Sequence, residues 1–334
     1  MATFAVLGSG GWGTAIAVSL AQKAGNRVRL WCARSETCRV LRETRVNDRQ
    51  LAGIPIPPTI TITDDPGEAT ESADCWIAAV PTAFLRSTAI RWKPFARETT
   101  PVVSLTKGIE TTTFRRPTEI LEDVLGVTRL VAVSGPSHAE EVARGMPTSV
   151  VAASPDAGLA GWVQAHLGSE RLRVYTNADL IGVELAGALK NVIGIAAGCC
   201  DGLKFGDNAK AAMLTRGLVE MTRFGVAHGA DPATFAGLAG LGDLITTCFS
   251  PHGRNRRVGE RLARGDTLAD VQSGPQVAEG VYTAKSVYDR VTVMGLEVPI
   301  MAAVYQVLYT GKPAVGAVSE LLSRRQRGEN TVFG

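Results

Sequence analysis

The stretch Thr3-Phe4-Ala5-Val6-Leu7-Gly8-Ser9-Gly10-Gly11-Trp12-Gly13-Thr14-Ala15-Ile16-Ala17 decides the fold. An apolar run meets the spacing Gly8-x-Gly10-x-x-Gly13, and an alanine-rich segment of good helix propensity follows over 14–23. The glycine spacing alone is a weak signal; its place between a strand and a helix gives it meaning. Gly8 permits a tight turn, Gly10 lets backbone approach a pyrophosphate, and Gly13 allows the helix to pack closely on the strand. The helix N-terminus then offers unpaired N–H groups and partial positive charge to phosphates. Gly8, Gly10, Gly11, Trp12 and Gly13 are therefore the first dinucleotide-binding candidates.

Working outward, Gly25-Asn26 ends that helix and turns the chain into a strand at 27–31. Further strands are expected at 75–80, 102–105 and 130–134, separated by helical stretches, as parallel βαβ units require. Runs at 149–152 and 171–175 extend the sheet. The second strand ends in Trp31-Cys32-Ala33-Arg34, with no acid before Glu36. An acid at this place grips a ribose 2′-hydroxyl, whereas Arg accepts a 2′-phosphate. Arg34 thus favours, or at least tolerates, NADPH; the alternative is a solvated surface arginine.

The character changes near Asn177. Asp179 can cap a long helix reaching about Gly198 that is apolar almost all round, as a buried helix is. The rest reads as helices over 210–228, 232–239, 255–264, 283–294 and 299–310. The expected architecture is α/β: an N-terminal Rossmann domain over 1–178 and a second, mostly α-helical C-terminal domain over 179–334.

Composition agrees with a globular chain: of 334 residues, 45% are hydrophobic and 20% charged. The net charge of +3 gives no reason to expect nucleic acid or an acidic membrane as partner. No apolar run free of breakers and charge reaches the ~18 residues of a membrane span. Phe4–Leu7 runs straight into glycines, so it reads as a strand and not a leader, and a cytoplasmic protein is expected. The six cysteines form no CxxC and sit near no histidine cluster, so no metal is expected.

Oxidising a secondary alcohol moves a hydride to a nicotinamide and a proton to a base, and the protein must supply the base. Lys190 is the best candidate, a lysine in an otherwise apolar helix, where burial lowers an ammonium pKa into a useful range. The alternative is a lysine that snorkels to the surface. Lys107, in Thr106-Lys107-Gly108, follows a strand, where ligands of open sheets bind; so does Ser134-Gly135-Pro136-Ser137, with His138 beside it. Asp243, in the loop-like Gly240-Leu241-Gly242-Asp243, can orient Lys190, hold a substrate hydroxyl, or merely cap a helix. Arg254-Asn255-Arg256-Arg257 opens a helix and suits a phosphate, or is a solvated cationic face.

Together these motifs resemble the NAD(P)-dependent glycerol-3-phosphate dehydrogenase family over essentially the whole chain. The resemblance rests on Gly8 to Ala15, Thr106-Lys107-Gly108, Ser134 to Ser137, Glu184 to Gly202, Thr215-Arg216-Gly217-Leu218, Ala239 to Asp243 and Arg254-Asn255-Arg256. It implies interconversion of dihydroxyacetone phosphate and sn-glycerol 3-phosphate with NAD(P)H, with Lys190 as proton acceptor and Lys107 and Asp243 completing the catalytic pocket. It implies a substrate held by Gly135, Ser137, Gly253, Arg254 and Asn255 as well as by the catalytic residues, and a cofactor touched by Lys107, Ala139, Arg254, Val277 and Glu279. It also implies a homodimer that feeds phospholipid synthesis. Two departures concern small residues: Gly11 and Gly253 stand where serine is common. Two rival readings remain at this point, a β-hydroxyacid dehydrogenase of similar layout and a non-catalytic NADH-binding redox sensor.

Overall fold

The computed structural model describes residues 2–273, 277–325 and 328. The chain forms two compact units, one of 1–106 and 117–180, the other of 107–116 and 181–334. The single cut expected at 178 therefore misses an excursion: the segment after the strand at 102–104 belongs to the second unit. Residues 274–276, 326–327 and 329–334 of the expected second domain lie outside the described residues.

The first unit begins β1 Thr3–Leu7, α1 Gly11–Ala21, β2 Arg27–Trp31 and α2 Ser35–Thr44. A short hairpin, β3 Val46–Asn47 and β4 Leu51–Pro55, leads to β5 Ile60–Thr63 and α3 Pro66–Thr70. Then come β6 Cys75–Ala78, α4 Thr82–Ala89, β7 Val102–Ser104, α5 Pro117–Leu125 and β8 Leu130–Ser134. The unit closes with α6 Ala139–Ala143, β9 Thr148–Ala153, α7 Ala157–Leu167 and β10 Leu172–Asn177. The main sheet has the order β10-β9-β8-β7-β6-β1-β2-β5. Its run β5-β2-β1-β6-β7-β8 is the doubly wound order of dinucleotide-binding sheets, reversing between β1 and β6. Alternate residues of β1 feed opposite layers. Phe4 and Val6 pack with Ile16, Leu20, Leu159 and Val163, while Ala5 and Leu7 pack with Leu85, Ile120 and Leu121. A strand buried on both faces needs the continuous apolar run seen at Thr3–Leu7.

Within the main sheet the expectation of parallel pairing holds except at one place. β9 runs antiparallel to β8, because the connection between them carries only the five-residue α6 and makes no full crossover. β5, absent from the sequence reading, pairs parallel with β2.

The second unit is helical. Its centre is α8 Leu180–Gly202, with nearly every residue after Ile181 buried. Around it come α9 Gly206–Ala227, α10 Pro232–Ala236, a π-helical turn Leu238–Gly242, α11 Asp243–Phe249 and α12 Arg254–Ala263. They are followed by α13 Leu268–Gln272, α14 Glu279–Met294, α15 Pro299–Tyr309 and α16 Ala314–Ser323. α8 is long and apolar enough to cross a membrane, but 83% of its apolar window is buried inside the structure, as befits a core helix. The sequence places Asp243 in a loop; it is instead the first residue of α11, entered from the π-helical turn.

Candidate active site

In the first unit the glycines divide by task. Gly8 has φ +136°, and a Cβ on Gly13 would overlap the Gly8 carbonyl oxygen, so both positions require glycine. A Cβ on Gly10 would meet nothing within 4 Å, which leaves open room over the loop. Gly10 is the N-cap of α1 without a side-chain cap, and the first turn contains no acid. The leading N–H groups thus remain available to an anion. The indole Nε1 of Trp12 is a buried donor lacking a hydrogen-bond partner among the described residues. An open, uncapped, acid-free helix start fits a dinucleotide pyrophosphate.

Gly11 has its own reason. A Cβ there would lie 2.7 Å from the Gln50 carbonyl oxygen and 3.8 Å from the Ala139 side chain. The turn between β3 and β4 leaves no room for the serine common at this position, and Gly11 and Ala139 are neighbours. Asn47 braces the loop, its Nδ2 donating to the Ser9 carbonyl at 2.9 Å and to Thr14 Oγ1 at 2.8 Å. The sequence reading missed Asn47, since nothing near it in the chain points to the glycine loop.

Arg34 is exposed at the N-cap position of α2. The nearest acid in sequence, Glu36, is taken by Arg39 at 2.8 Å. Asp64 is held below its usual range, first by the Ser35 hydroxyl. After β8, Gly135 has φ +128° and its carbonyl accepts from Ser137 Oγ at 2.8 Å.

In the second unit Lys107, Lys190 and Asp243 come together. Lys107 Nζ donates to Asp243 Oδ2 at 2.7 Å, and Lys190 Nζ lies 3.1 Å from Oδ1. Lys190 is 8% exposed and Asp243 2%. Lys190 also donates to Thr247 Oγ1 at 2.6 Å. Thr247 lies one turn after Asp243 on α11, so the two share a helix face. Burial pushes the Lys190 ammonium down to about 8; Asp243 opposes the shift and the charge of Lys107 adds to it. Burial pushes Asp243 up, but the two ammonium groups outweigh it and hold the carboxyl below its usual range. The arrangement keeps one carboxylate charged beside a lysine poised to exchange a proton near neutral pH.

Next to it runs a chain of amides. Asn191 Nδ2 donates to the Lys107 carbonyl at 3.2 Å, and Asn255 Nδ2 donates to Asn191 Oδ1 at 2.8 Å. Asn255 Oδ1 accepts from the Gly280 N–H at 3.0 Å, one residue past Glu279. Both ends of the Asn255 amide are thus engaged within the protein. Gly253 is the N-cap of α12, and a Cβ there would lie 2.9 Å from the Thr247 carbonyl oxygen, so a serine would be crowded. Arg254 Nη1 donates to the Val277 carbonyl at 3.3 Å, bringing these two expected residues together. Asn191 and Thr247 were missed by the sequence reading, although each stands at a telling offset: Asn191 follows Lys190, and Thr247 follows Asp243 by four.

Comparison with known proteins fixes the family. Residues 3–160 match the NAD-dependent glycerol-3-phosphate dehydrogenase N-terminus and residues 179–319 the corresponding C-terminus. The chain belongs to the NAD-dependent glycerol-3-phosphate dehydrogenase family. It is 47% identical over 329 residues to glycerol-3-phosphate dehydrogenase [NAD(P)+] 2 of Salinibacter ruber, covering 97% of this chain and 95% of that one. A relative from Chlorobium limicola, glycerol-3-phosphate dehydrogenase [NAD(P)+], is also 47% identical, with 97% and 98% covered. The crystal structure of glycerol-3-phosphate dehydrogenase from Coxiella burnetii superposes with a TM-score of 0.92 at 38% identity, covering 97% of this chain and 99% of that one. The chain is therefore an NAD(P)-dependent oxidoreductase. Membership decides against both rival readings, the β-hydroxyacid dehydrogenase and the non-catalytic sensor.

Proposed function

We propose that this family member interconverts dihydroxyacetone phosphate and sn-glycerol 3-phosphate, with Lys190 exchanging the hydroxyl proton. The observation that carries the reading is the buried Asp243 carboxylate gripped by both Lys107 and Lys190. NAD(P)H, when bound, supplies the hydride, and NAD(P)+ accepts it in the reverse direction. Gly8, Gly10, Gly11, Trp12, Gly13, Ala139, Val277 and Glu279 are the residues assigned to the cofactor, with Lys107 and Arg254 shared between cofactor and substrate.

In reduction, the Lys190 ammonium gives its proton to the substrate oxygen and becomes a neutral amine. In oxidation, the neutral amine takes that proton back. Lys107 stabilises negative charge that develops on the same oxygen. Asp243 fixes both ammonium groups, and Thr247 orients Lys190. The phosphate is held by Arg254 and by the N-terminal N–H groups of α12, which has no side-chain cap. Because both ends of the Asn255 amide are engaged, Asn255 acts chiefly by setting that helix start. Gly135 and Ser137 complete the substrate set. Arg34, exposed and with no acid partner among the described residues, would receive the 2′-phosphate of NADPH. In this reading the enzyme works in the cytoplasm as a homodimer and supplies glycerol 3-phosphate for phospholipid synthesis.

The test is oxidation of NADH and NADPH side by side, with dihydroxyacetone phosphate and with 2- and 3-keto acids. Activity with dihydroxyacetone phosphate alone is expected, with NADPH used at least as well as NADH. Arg34→Asp should shift the NADPH-to-NADH ratio of kcat/KM towards NADH by about tenfold or more, through loss of one charged bond and gain of a repulsion. Preference for a keto acid would overturn the substrate reading, and an unmoved ratio would remove Arg34 from cofactor recognition.

A further inference from the structure

The first turn of α12 is built against its own electrostatics. It opens Arg254-Asn255-Arg256-Arg257, with no acid in the turn and no side-chain cap. Cations at a helix N-terminus oppose the positive end of the helix dipole. Something outside the helix must hold this turn.

Two features do so. One is steric. A Cβ on Gly198 would overlap the Arg256 carbonyl oxygen, one on Gly259 would overlap the Ile195 carbonyl oxygen, and one on Gly202 would lie 2.6 Å from Ala263 Cβ. α12 thus lies on α8 backbone against backbone. The other is ionic. Asp201, near the end of α8, accepts from Arg256 Nε at 2.5 Å and from Lys210 Nζ at 2.8 and 3.0 Å. Arg256 also reaches Glu260 at 2.8 Å. Lys210, 5% exposed, stands 4.6 Å over the ring of Phe249, the last residue of the helix that carries Asp243 and Thr247. Asp201 therefore joins the end of α8, the first part of α9 and the opening turn of α12, while Lys210 adds the end of α11. Its carboxyl lies below the usual range: burial pushes it up, but Lys210 and Arg256 outweigh that. Arg256 is consumed by two carboxylates, whereas Arg254 makes no ion pair with any described residue.

We propose that Asp201 is a positioning residue for phosphate recognition: by neutralising and anchoring Arg256 it fixes the opening turn of α12, so that Arg254 and the free N–H groups face the substrate phosphate. The proposal rests on the reading that Arg254 and this helix start hold the phosphate. The Asp201 carboxylate is spent on Arg256 and Lys210, so on this proposal its effect passes through binding of the phosphate and not through proton transfer.

The experiment measures kcat and KM of Asp201→Asn for dihydroxyacetone phosphate, together with kcat/KM for unphosphorylated dihydroxyacetone. Arg254→Ala serves as the reference. The double variant Asp201→Asn/Lys210→Met, which leaves no extra buried cation, guards against misfolding of the single one. Both Asp201 variants should raise KM for the phosphorylated substrate by about tenfold, with kcat within about threefold and dihydroxyacetone nearly unaffected. Asp201→Glu, which keeps the charge, should recover most of the affinity. Equal losses for both substrates would make Asp201 merely structural and overturn the proposal, as would an unchanged KM. If Arg254→Ala itself shows no phosphate-selective loss, the underlying phosphate assignment fails instead, and the two failures are told apart.

Discussion

Lys190 shows how far one side chain is set by its surroundings. In water its ammonium would stay protonated well past neutrality; burial in α8 brings it down to about 8. The sign of the resulting pH dependence follows directly. On the proposed mechanism, reduction of dihydroxyacetone phosphate uses the ammonium, so its kcat/KM should be flat below about 8 and fall roughly tenfold per pH unit above it. Oxidation of glycerol 3-phosphate by the same proposed mechanism uses the neutral amine, so its kcat/KM should rise up to about 8 and then level off. Lys107→Met should move both inflections upward, because a neighbouring positive charge is lost and Asp243 is left to Lys190 alone. Rate profiles in both directions between pH 6 and 10 check this; profiles that bend the same way in both directions would exclude Lys190 as the exchanging group. Lysine in an apolar helix was legible from sequence. Asp243 and Lys107 were legible as candidates, but not how they meet Lys190, since they lie 53 and 83 residues away and join it only through the fold, and its partner Thr247 was missed.

At the scale of elements, glycine placement carries most of the information, and sequence reading caught half of it. The loop Gly8 to Gly13 was legible because strand, turn and helix adjoin in the chain. The face of α8 formed by Gly194, Gly198 and Gly202 was not, since its partner α12 lies more than fifty residues on. Gly240 reads as loop, yet its Cβ would overlap the backbone of Phe235, so glycine there closes a π-helical turn and is a packing residue. These contacts predict a contrast. Gly198→Ala drives a methyl into the Arg256 carbonyl and should destabilise the protein by about 1–3 kcal/mol or more. Gly161→Ala, in α7 with nothing within 4 Å of the added atom, should be neutral or stabilise by up to about 1 kcal/mol. Thermal unfolding of the two variants compares them; equal effects would mean that α8 and α12 are not locked by backbone contact.

For the molecule as a whole, the strands β1, β2 and β8 were legible to the residue, since runs buried on both faces leave a plain apolar signature. β5 was not; Ile60–Thr63 is short, half polar in composition and preceded by Pro57-Pro58. The route of the chain was also hidden. After β7 the segment 107–116 leaves the sheet unit and joins the helical one. Arg116 pairs there with the buried Glu184 of α8 at 2.6 Å, and Phe114 packs on Phe224 and His228. That excursion brings Lys107 to Asp243, so a residue that follows a strand in sequence ends in the helical unit. The account therefore stands on a lysine pair and one carboxylate acting as a unit, with Lys190 as the group that moves the proton. The most direct measurement is the steady-state rate of NAD(P)H oxidation by dihydroxyacetone phosphate with Lys190→Met, which keeps an unbranched side chain one atom shorter, alongside cofactor binding by the same variant. The account predicts a loss of about 10²–10⁴-fold in rate with cofactor affinity unchanged; a rate within threefold of the unsubstituted protein would contradict it.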